Sequence, residues 1–246
     1  MLSTRREDRV SILTLQREHR RNALDLDLCT AIHETVDREV DAGARVLVVT
    51  GEGSSFCSGA DLGGVYGDAF LEALYGMLHR LTALPVPLIA AVNGPAIGAG
   101  TQLAMACDLR VAAATARFAV PTARNGMAVD AWTIRTLAAL AGHGPARRLM
   151  LAAEQLDVEE ATATGLVDRR GDLGDAVAWA HEIAALAPLT LAHNKLVLNA
   201  DRREDRSPSE LDDEIGRSFS RCWSSADVAE AAAARSEKRV PAFEGH

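Results

Sequence analysis

The sequence predicts an α/β protein in which parallel strands are joined by helices, and three observations support this prediction. Short apolar runs such as residues 46–50 and 88–92 have the composition of strands buried on both faces. Segments with the apolar period of helices lie between these runs, and glycine-rich loops follow the strands. With 246 residues, 48% of them hydrophobic, the chain is long enough to bury a full core.

Turn signals mark the ends of the predicted strands and helices. Gly43 follows the first helix, and Pro85 and Pro87 separate the second helix from the strand after it. Loop 51–64 is rich in glycine and serine, and the polar run 201–213 indicates a change of structure near the C-terminus. The predicted strands are residues 10–16, 46–50, 88–92, 109–113 and 117–120. The predicted helices are residues 24–40, 69–84, 132–141, 145–151, 158–164, 173–186, 191–200 and 226–238, together with one that a glycine-rich turn opens near residue 99.

Composition argues against several classes of protein. The formal net charge is −8 and the arginine pairs are scattered, so we expect no nucleic-acid partner. The four cysteines show neither metal nor redox spacing, so we expect reduced thiols, no metal and a cytoplasmic location. No signal peptide is evident, and no apolar run approaches the roughly 18 residues that span a bilayer.

Two glycine-rich loops follow successive predicted strands. The first ends Ser58-Gly-Ala-Asp61, and the second is Ile97-Gly-Ala-Gly100 at the start of a helix. Loops that follow neighbouring parallel strands emerge at one edge of the sheet, where ligands bind. Backbone N–H groups brought together there would stabilise an enolate or a tetrahedral oxyanion. The alternative is that both loops are only tight turns. The second loop is not a dinucleotide fingerprint, because Leu103 replaces the third glycine.

The motifs in and around these loops resemble the signature of the crotonase (enoyl-CoA hydratase/isomerase) family. The resemblance covers nearly the whole chain. The chain is similar in particular to actinobacterial members that lack the family's acidic residues. The motifs are Arg21-Asn-Ala-Leu24, Phe56-Cys-Ser-Gly-Ala-Asp-Leu62, Ala91-Val-Asn-Gly-Pro-Ala-Ile-Gly-Ala-Gly100, Leu103-Ala-Met-Ala-Cys-Asp108, Thr164-Gly-Leu-Val167 and Glu237-Lys-Arg-Val-Pro-Ala-Phe243.

The resemblance implies an α/β spiral of ββα units over residues 1–190 and a C-terminal helical oligomerisation region over residues 191–246. It implies a homotrimer or a dimer of trimers. The implied ligand is an acyl-CoA thioester, with coenzyme A arriving on the ligand and no separate cofactor. A role in fatty-acid metabolism follows, and a protein partner in lipid metabolism is open.

The resemblance also assigns residues to the site. The two backbone N–H groups of the oxyanion hole map onto Ala60 and Ala99. The pyrophosphate contact maps onto Arg20 or Arg21, and for Arg21 a solvated surface charge is an equal alternative. A coenzyme A phosphate contact maps onto Lys238. The adenine and pantetheine contacts map near Ala23, Ser58, Ala60, Asp61 and Leu62.

The sequence departs from the hydratases at the two positions that move protons. Hydratases carry a glutamate in each of the two positions where this chain has Gln102 and Thr122. A carboxamide and an aliphatic hydroxyl do not titrate near neutral pH. Because one general acid or base contributes typically ~10²–10⁴ in rate, losing both should leave hydration close to background.

Asp130 is the candidate replacement for the missing acids. Its position resembles the one where dehalogenase members of the family carry an aspartate nucleophile, but an N-cap for the following helix is the commoner role and is compatible. Met127 and Trp132 are candidates for the acyl pocket, with the core as the alternative for Trp132. Cys57 is interpreted as a packing residue.

Three functions remain open at this stage. The sequence favours a protein that binds acyl-CoA with little or no hydratase activity. The second hypothesis is an isomerase, hydrolase or dehalogenase-like enzyme that uses Asp130. The third is an ordinary enoyl-CoA hydratase. Fold does not fix function, so the two missing glutamates outweigh the family name.

Overall fold

The computed structural model describes residues 1–61, 67–200 and 207–246. Strands and helices alternate through the first two thirds of the chain, and helices fill the rest. The strands are β1 (Leu2–Glu7), β2 (Val10–Leu15), β3 (Val46–Gly51), β4 (Leu88–Val92), β5 (Ala96–Ile97), β6 (Leu109–Ala112), β7 (Arg117–Ala119), β8 (Gln155–Asp157) and β9 (Arg169–Arg170). The helices are α1 (Leu26–Asp41), α2 (Asp68–Ala83), α3 (Ala99–Ala106), α4 (Ala131–Ala141), α5 (His143–Leu151), α6 (Val158–Thr164), α7 (Leu173–Ala184), α8 (Pro188–Asn199), α9 (Pro208–Trp223) and α10 (Ala226–Glu237).

The strands form two sheets. The larger has the order β1-β2-β3-β4-β6-β9, and the smaller has the order β5-β7-β8. In the larger sheet β1 is antiparallel to β2, and every following pair from β2 to β9 is parallel. The predicted α/β class with parallel strands is therefore confirmed.

Both faces of the larger sheet are covered, which explains the continuous apolar runs. All six residues of β3 are buried. Val46 and Val48 pack with Ala180 of α7 on one face. Leu47 and Val49 belong to the main core on the other face, together with side chains from α1 and α2. The prediction that residues 46–50 form a strand buried on both faces is confirmed.

The strands that pattern analysis missed are short or polar. Strand β1 has the sequence LSTRRE and no buried residue, so it carries no apolar signal; only pairing with β2 makes it a strand. The polar run 201–213 was expected to mark a change of structure, but α9 begins inside it at Pro208. Ser207 is its N-cap and forms a capping box with Glu210.

A buried lysine ties helix α8 to the end of α2 and to the segments that precede β4 and β6. Lys195 of α8 donates to the carbonyl oxygens of Leu81 and Val86, each at 3.0 Å, and pairs with Asp108 at 2.8 Å. Large apolar side chains on α8 and α9, among them Leu198 and Trp223, are exposed in the single chain. No helix in the described part of the chain is long and apolar enough to cross a membrane.

Helix α3 lies in the centre of the molecule, and all eight of its residues are buried. Gly100, in its first turn, packs against the backbone of the first glycine-rich loop. A Cβ atom at Gly100 would lie 2.1 Å from the carbonyl oxygen of Cys57, which is far inside van der Waals contact. At Gly76 of α2, by contrast, a Cβ atom would meet nothing within 4 Å.

We therefore expect opposite effects from the same substitution at two helical glycines. Gly100→Ala should lower the free energy of unfolding by about 1–3 kcal/mol, because the backbones must separate. Gly76→Ala should raise it by about 0.5–1 kcal/mol, because alanine favours helix and the space is open. Urea unfolding of both variants checks this, and equal destabilisation by both would contradict the described packing of α3.

Candidate functional site

The two glycine-rich loops meet through backbone hydrogen bonds. Cys57 of the first loop forms a parallel β-bridge with Ala96, which directly precedes the second loop. The N–H of Cys57 donates to the carbonyl of Pro95 at 3.2 Å, and the N–H of Ile97 donates to the carbonyl of Cys57 at 2.9 Å. The two loops are thereby fixed in one register at the end of the strands that precede them.

Pairing with Leu24 orients the N–H of Ala60. The N–H of Leu24 donates to the carbonyl of Gly59, and the N–H of Asp61 donates to the carbonyl of Leu24, both at 2.8 Å. Because the backbone groups of an extended chain alternate in direction, the N–H of Ala60 points away from Leu24. Within the described residues it donates to no acceptor.

The second N–H group lies at the beginning of α3. Gly98 is the N-cap, and it holds φ 55° and ψ −117°, a conformation open essentially to glycine alone. It supplies no side-chain cap, so the N–H of Ala99 has no acceptor in the described part of the chain. Gly59 lies against this turn, since a Cβ atom there would be 3.7 Å from the Ala99 nitrogen. Two free N–H groups near a helix N-terminus form an arrangement that can bind an oxyanion.

A cavity of about 160 Å³ lies in front of these groups. The residues that line it come from both loops, from α2, from α3 and from the segment that follows β7. They include Gln102 and Thr122, the two positions where hydratases carry glutamate, and Met127, one of the two candidates for the acyl pocket. The lining residues that carry the following arguments are Ser58, Gly59, Ala60, Leu74, Tyr75, Gly98, Ala99, Gln102, Thr122, Met127, Ala128 and Val129.

Gln102 is held by a chain of hydrogen bonds that ends on Asp130. Its amide nitrogen donates to the hydroxyl of Thr133 at 2.7 Å, and that hydroxyl donates to the carboxylate of Asp130. An ionised carboxylate only accepts, so the hydroxyl proton must go to Asp130 and the amide must supply the other bond. This sequence of donors fixes the orientation of the buried Gln102 amide, with its –NH₂ group toward Thr133.

Asp130 is the N-cap of α4, the commoner of its two expected roles. Its carboxylate accepts from the backbone N–H of Thr133 at 3.0 Å, and Nε2 of His79 lies 3.7 Å from its second oxygen. Burial raises the pKa of Asp130, but hydrogen bonds from His79 and from the hydroxyl and N–H of Thr133 outweigh burial, so its pKa is lowered. The backbone N–H of Asp130 donates to Tyr75 Oη at 3.2 Å. Asp130 itself is absent from the described lining of the cavity.

The residues expected to contact coenzyme A near the N-terminus come together at one edge of the first loop. The hydroxyl of Ser58 donates to the carbonyl of Arg20 at 3.2 Å, and its N–H donates to the carbonyl of Arg21 at 3.0 Å. Both arginine side chains are exposed beside the loop, whereas Ala23 is buried beneath it.

The other expected coenzyme A contacts are more scattered. The carboxylate of Asp61 pairs with Arg17 at 3.0 Å. Lys238 is exposed and ends α10 in a left-handed conformation with φ 55°. Leu62 lies outside the described residues.

Trp132 and Cys57 lie in the core. Trp132 is 2% exposed and packs edge-on against the ring of His79; it does not line the cavity beside Gln102 in the described structure. Cys57 is fully buried, and burial raises the pKa of its thiol to about 12, which suits a packing residue rather than a nucleophile.

Sequence analysis missed the side chains that support the site. Arg17 donates to the carbonyl of Ala23 and pairs with Asp25 and Asp61, so it links the N-terminal segment to the first loop. Asn22 donates to the carbonyl of Ser55 at 2.8 Å from the same side. Asn22 lies in the motif at residues 21–24, which was the available signal, and Arg17 lies four residues before that motif. Thr133 carries no such signal, because its bond to Gln102 joins two helices.

The fold and the paired loops define a protein of the crotonase superfamily, and the comparisons with known proteins agree. The family model described as Enoyl-CoA hydratase/isomerase matches residues 5–246. The chain belongs to the enoyl-CoA hydratase/isomerase family. No group of three or more His, Cys, Asp or Glu residues that could hold a metal occurs in ranges 1–61, 67–200 and 207–246.

Relatives cover the chain almost completely. A Mycobacterium tuberculosis protein with the name "Probable enoyl-CoA hydratase echA6" is 46% identical over 250 residues, covering 100% of both chains. The short-chain-enoyl-CoA hydratase of Clostridium acetobutylicum is 30% identical, covering 95% of this chain and 94% of its own. The crystal structure of an enoyl-CoA hydratase from Bacillus anthracis superposes with a TM-score of 0.87 at 27% identity, covering 100% of this chain and 99% of that one.

Removal of the Thr133 hydroxyl should destabilise the protein. Thr133→Val removes the acceptor of the Gln102 amide and one of the two hydrogen bonds that Thr133 gives to the Asp130 carboxylate, so we expect a loss of about 1–3 kcal/mol in the free energy of unfolding. Thr133→Ser should retain most of the stability. The matched control is Thr136→Val on the same helix, because the hydroxyl of Thr136 is buried without a partner among the described residues. Urea unfolding should show no loss of stability for Thr136→Val. Equal losses for both valine variants would exclude the hydrogen bonds that link Gln102 to Asp130 through Thr133.

The lowered pKa of Asp130 predicts a pH dependence that Asp130→Asn should remove. Asparagine caps a helix about as well as aspartate, so the variant isolates the charge. A carboxylate whose folded pKa is lowered stabilises the fold above its unfolded pKa of about 3.9, and this stabilisation is lost as the pH falls through the folded pKa. The stability difference between wild type and variant, measured by urea unfolding from pH 6 to pH 3, should be constant above about pH 5 and shrink below pH 4. A difference that is independent of pH would contradict the assignment.

Proposed function

We propose that this protein binds acyl-CoA thioesters and has little or no hydratase activity. The N–H groups of Ala60 and Ala99 hold the thioester oxygen, and the acyl group enters the cavity in front of them. Arg20, Arg21 and Lys238 provide the positive charge for the phosphates of coenzyme A. The ligand belongs to fatty-acid metabolism.

The observation that carries this proposal is the hydrogen bonding of the Gln102 side chain. Its amide is neutral and buried, and its nitrogen donates to Thr133 at 2.7 Å. It can hold a hydrogen bond, but it has no proton to exchange near neutral pH. The second proton-transfer position is Thr122, whose hydroxyl does not titrate either. The site can therefore polarise a carbonyl group without moving a proton at the neighbouring carbons.

A second candidate function uses Asp130 as the chemical group. The observation that favours it is His79, whose Nε2 lies 3.7 Å from the carboxylate oxygen that does not accept from Thr133 and could exchange a proton with it. Two features favour binding instead. Asp130 caps α4 and accepts from Thr133 twice, and it is absent from the described residues that line the cavity. The third candidate, an ordinary hydratase, is supported by the family model and by the names of the relatives.

The assembly and location follow the same reasoning. Exposed apolar side chains on α8 and α9, such as Leu198, Phe219 and Trp223, suit burial against other copies of the chain. A homotrimer or a dimer of trimers that forms through residues 191–246 is our proposal for this surface. A cytoplasmic location and a protein partner in lipid metabolism complete the proposed role.

The proposal is tested by calorimetric titration with a saturated acyl-CoA, beside a crotonyl-CoA hydration assay on the same preparation. We expect binding with no loss of the crotonyl-CoA absorbance above the rate without protein. Efficient hydration would overturn the proposal, and absence of binding would also contradict it. If Asp130 carries chemistry, another acyl-CoA reaction should be abolished by Asp130→Asn while the ligand still binds.

A gain-of-function series asks whether only the acids are missing. Gln102→Glu with Thr122→Glu should raise hydration. The single Gln102→Glu variant lacks the second acid, so we expect a weaker gain. In both variants the new carboxylate at position 102 competes with Asp130 for the one proton of the Thr133 hydroxyl. Adding Asp130→Asn to the double variant removes that competition and should increase hydration further. No hydration in any of the three variants would mean that the loops lack the geometry for the reaction.

A further inference from the structure

A second cavity lies beside the first and is larger. It measures about 430 Å³, against about 160 Å³ for the cavity in front of Ala60 and Ala99. Most of its lining is aliphatic and comes from α4 and α5. His143 and Arg147 are exposed at its edge. The aliphatic residues that line it include Met127, Val129, Ile134, Ala138, Ala146 and Met150.

The two cavities share one wall. Thr122, Met127, Ala128 and Val129 line both of them. The N–H of Met127 donates to the carbonyl of Thr122 at 3.1 Å, which closes the short 3₁₀ turn before it. Residues 127–129 continue as a single segment outside any helix or strand. A wall made of a single polypeptide segment therefore separates the apolar second cavity from the proposed acyl site.

The side chains of this wall suit passage of an alkyl chain. Ala128 is small, and Met127 is unbranched with three rotatable bonds, so it can change its rotamer without moving the backbone. Neither residue is buried: both are partly or largely exposed to the cavities or to solvent. The charged side chains Arg147 and Arg124 lie outside the wall, and the guanidinium of Arg124 donates to the carbonyl of Ala153 at 3.0 Å.

The volumes decide how much of a ligand each cavity can hold. An apolar cavity of about 150 Å³ holds one benzene molecule, so the first cavity accommodates an acyl group of about six carbons. A longer chain must extend elsewhere. The second cavity has more than twice that volume, is apolar, and begins at the same wall.

We propose that the second cavity receives the distal methylenes of a saturated acyl chain, which makes the ligand a medium- or long-chain acyl-CoA of more than six carbons. This inference rests on the proposed function, because it assumes that the thioester lies at Ala60 and Ala99. Ala138 of α4 lines the second cavity and not the first, so a large side chain there fills the space for the distal methylenes alone.

The test is a chain-length series measured by calorimetry with butyryl-, hexanoyl-, octanoyl-, decanoyl- and dodecanoyl-CoA, each below its micelle concentration. In the wild type the Kd should fall about fourfold for each methylene beyond hexanoyl, which corresponds to the ~0.8 kcal/mol of a buried CH₂. Ala138→Phe should remove this gain beyond hexanoyl and leave butyryl-CoA affinity unchanged. Ala146→Leu fills the cavity from α5 and should act in the same direction if Ala138→Phe fails to fold.

The matched control is Ala139→Phe, which adds the same side chain at the next, exposed position of α4, outside the described lining of either cavity. It should keep the wild-type dependence on chain length. The inference is overturned if the wild-type Kd is constant beyond hexanoyl, or if both phenylalanine variants behave alike. It is also overturned if Ala138→Phe changes the oligomeric state in light scattering while the chain-length dependence persists, since the cavity would then face another copy. Failure of butyryl-CoA itself to bind the wild type would instead contradict the proposed function.

Discussion

The close backbone contact between the two glycine-rich loops is the constraint on which the site depends. Gly59 and Gly100 each lie where a Cβ atom would collide with the other loop, at 2.8 Å from the carbonyl oxygen of Ile97 and 2.1 Å from that of Cys57. Only glycine at both positions lets the loops share hydrogen bonds. That contact brings the N–H groups of Ala60 and Ala99 to one side of the cavity, and it buries α3 so that the start of the helix faces the same space.

The polar residues behind these loops hold the site in place, and few of them titrate near neutral pH. Arg17 and Asn22 fix the first loop from one side. On the other side, hydrogen bonds from Gln102 to Thr133 and from Thr133 to Asp130 join α3 to α4. The amide of Gln102 is therefore oriented by a carboxylate that it does not contact. A fully bonded buried network favours one arrangement of its members. Such an arrangement can hold a carbonyl oxygen, as the proposed binding role requires, whereas proton transfer would need a group that titrates.

Much of the fold could be predicted from the sequence because the strands buried on both faces are continuous apolar runs, as at residues 46–50 and 88–92. Strand β1 could not, because its residues are polar and only its pairing with β2 defines it. The glycine motifs predicted the two loops, and the resemblance to the hydratases identified residues 102 and 122 as positions where the family's glutamates are replaced. The bond between Gln102 and Thr133 was out of reach, since 31 residues separate the partners and no local pattern links them. Trp132 shows the same limit: its apolar ring suited pocket and core alike, and only packing against His79 distinguished them.

The most direct test of a site that polarises a carbonyl without proton transfer is the NMR spectrum of [1-¹³C]butyryl-CoA bound to the protein in D₂O. Two hydrogen bonds from backbone N–H groups should shift the thioester carbonyl resonance downfield, while the protons on the neighbouring carbon stay unexchanged over hours. Deuterium entering that carbon at a rate proportional to protein concentration would contradict the account, because some group would then be acting as a base. An unshifted carbonyl resonance in the bound ligand would contradict it equally, because Ala60 and Ala99 would not be holding the oxygen.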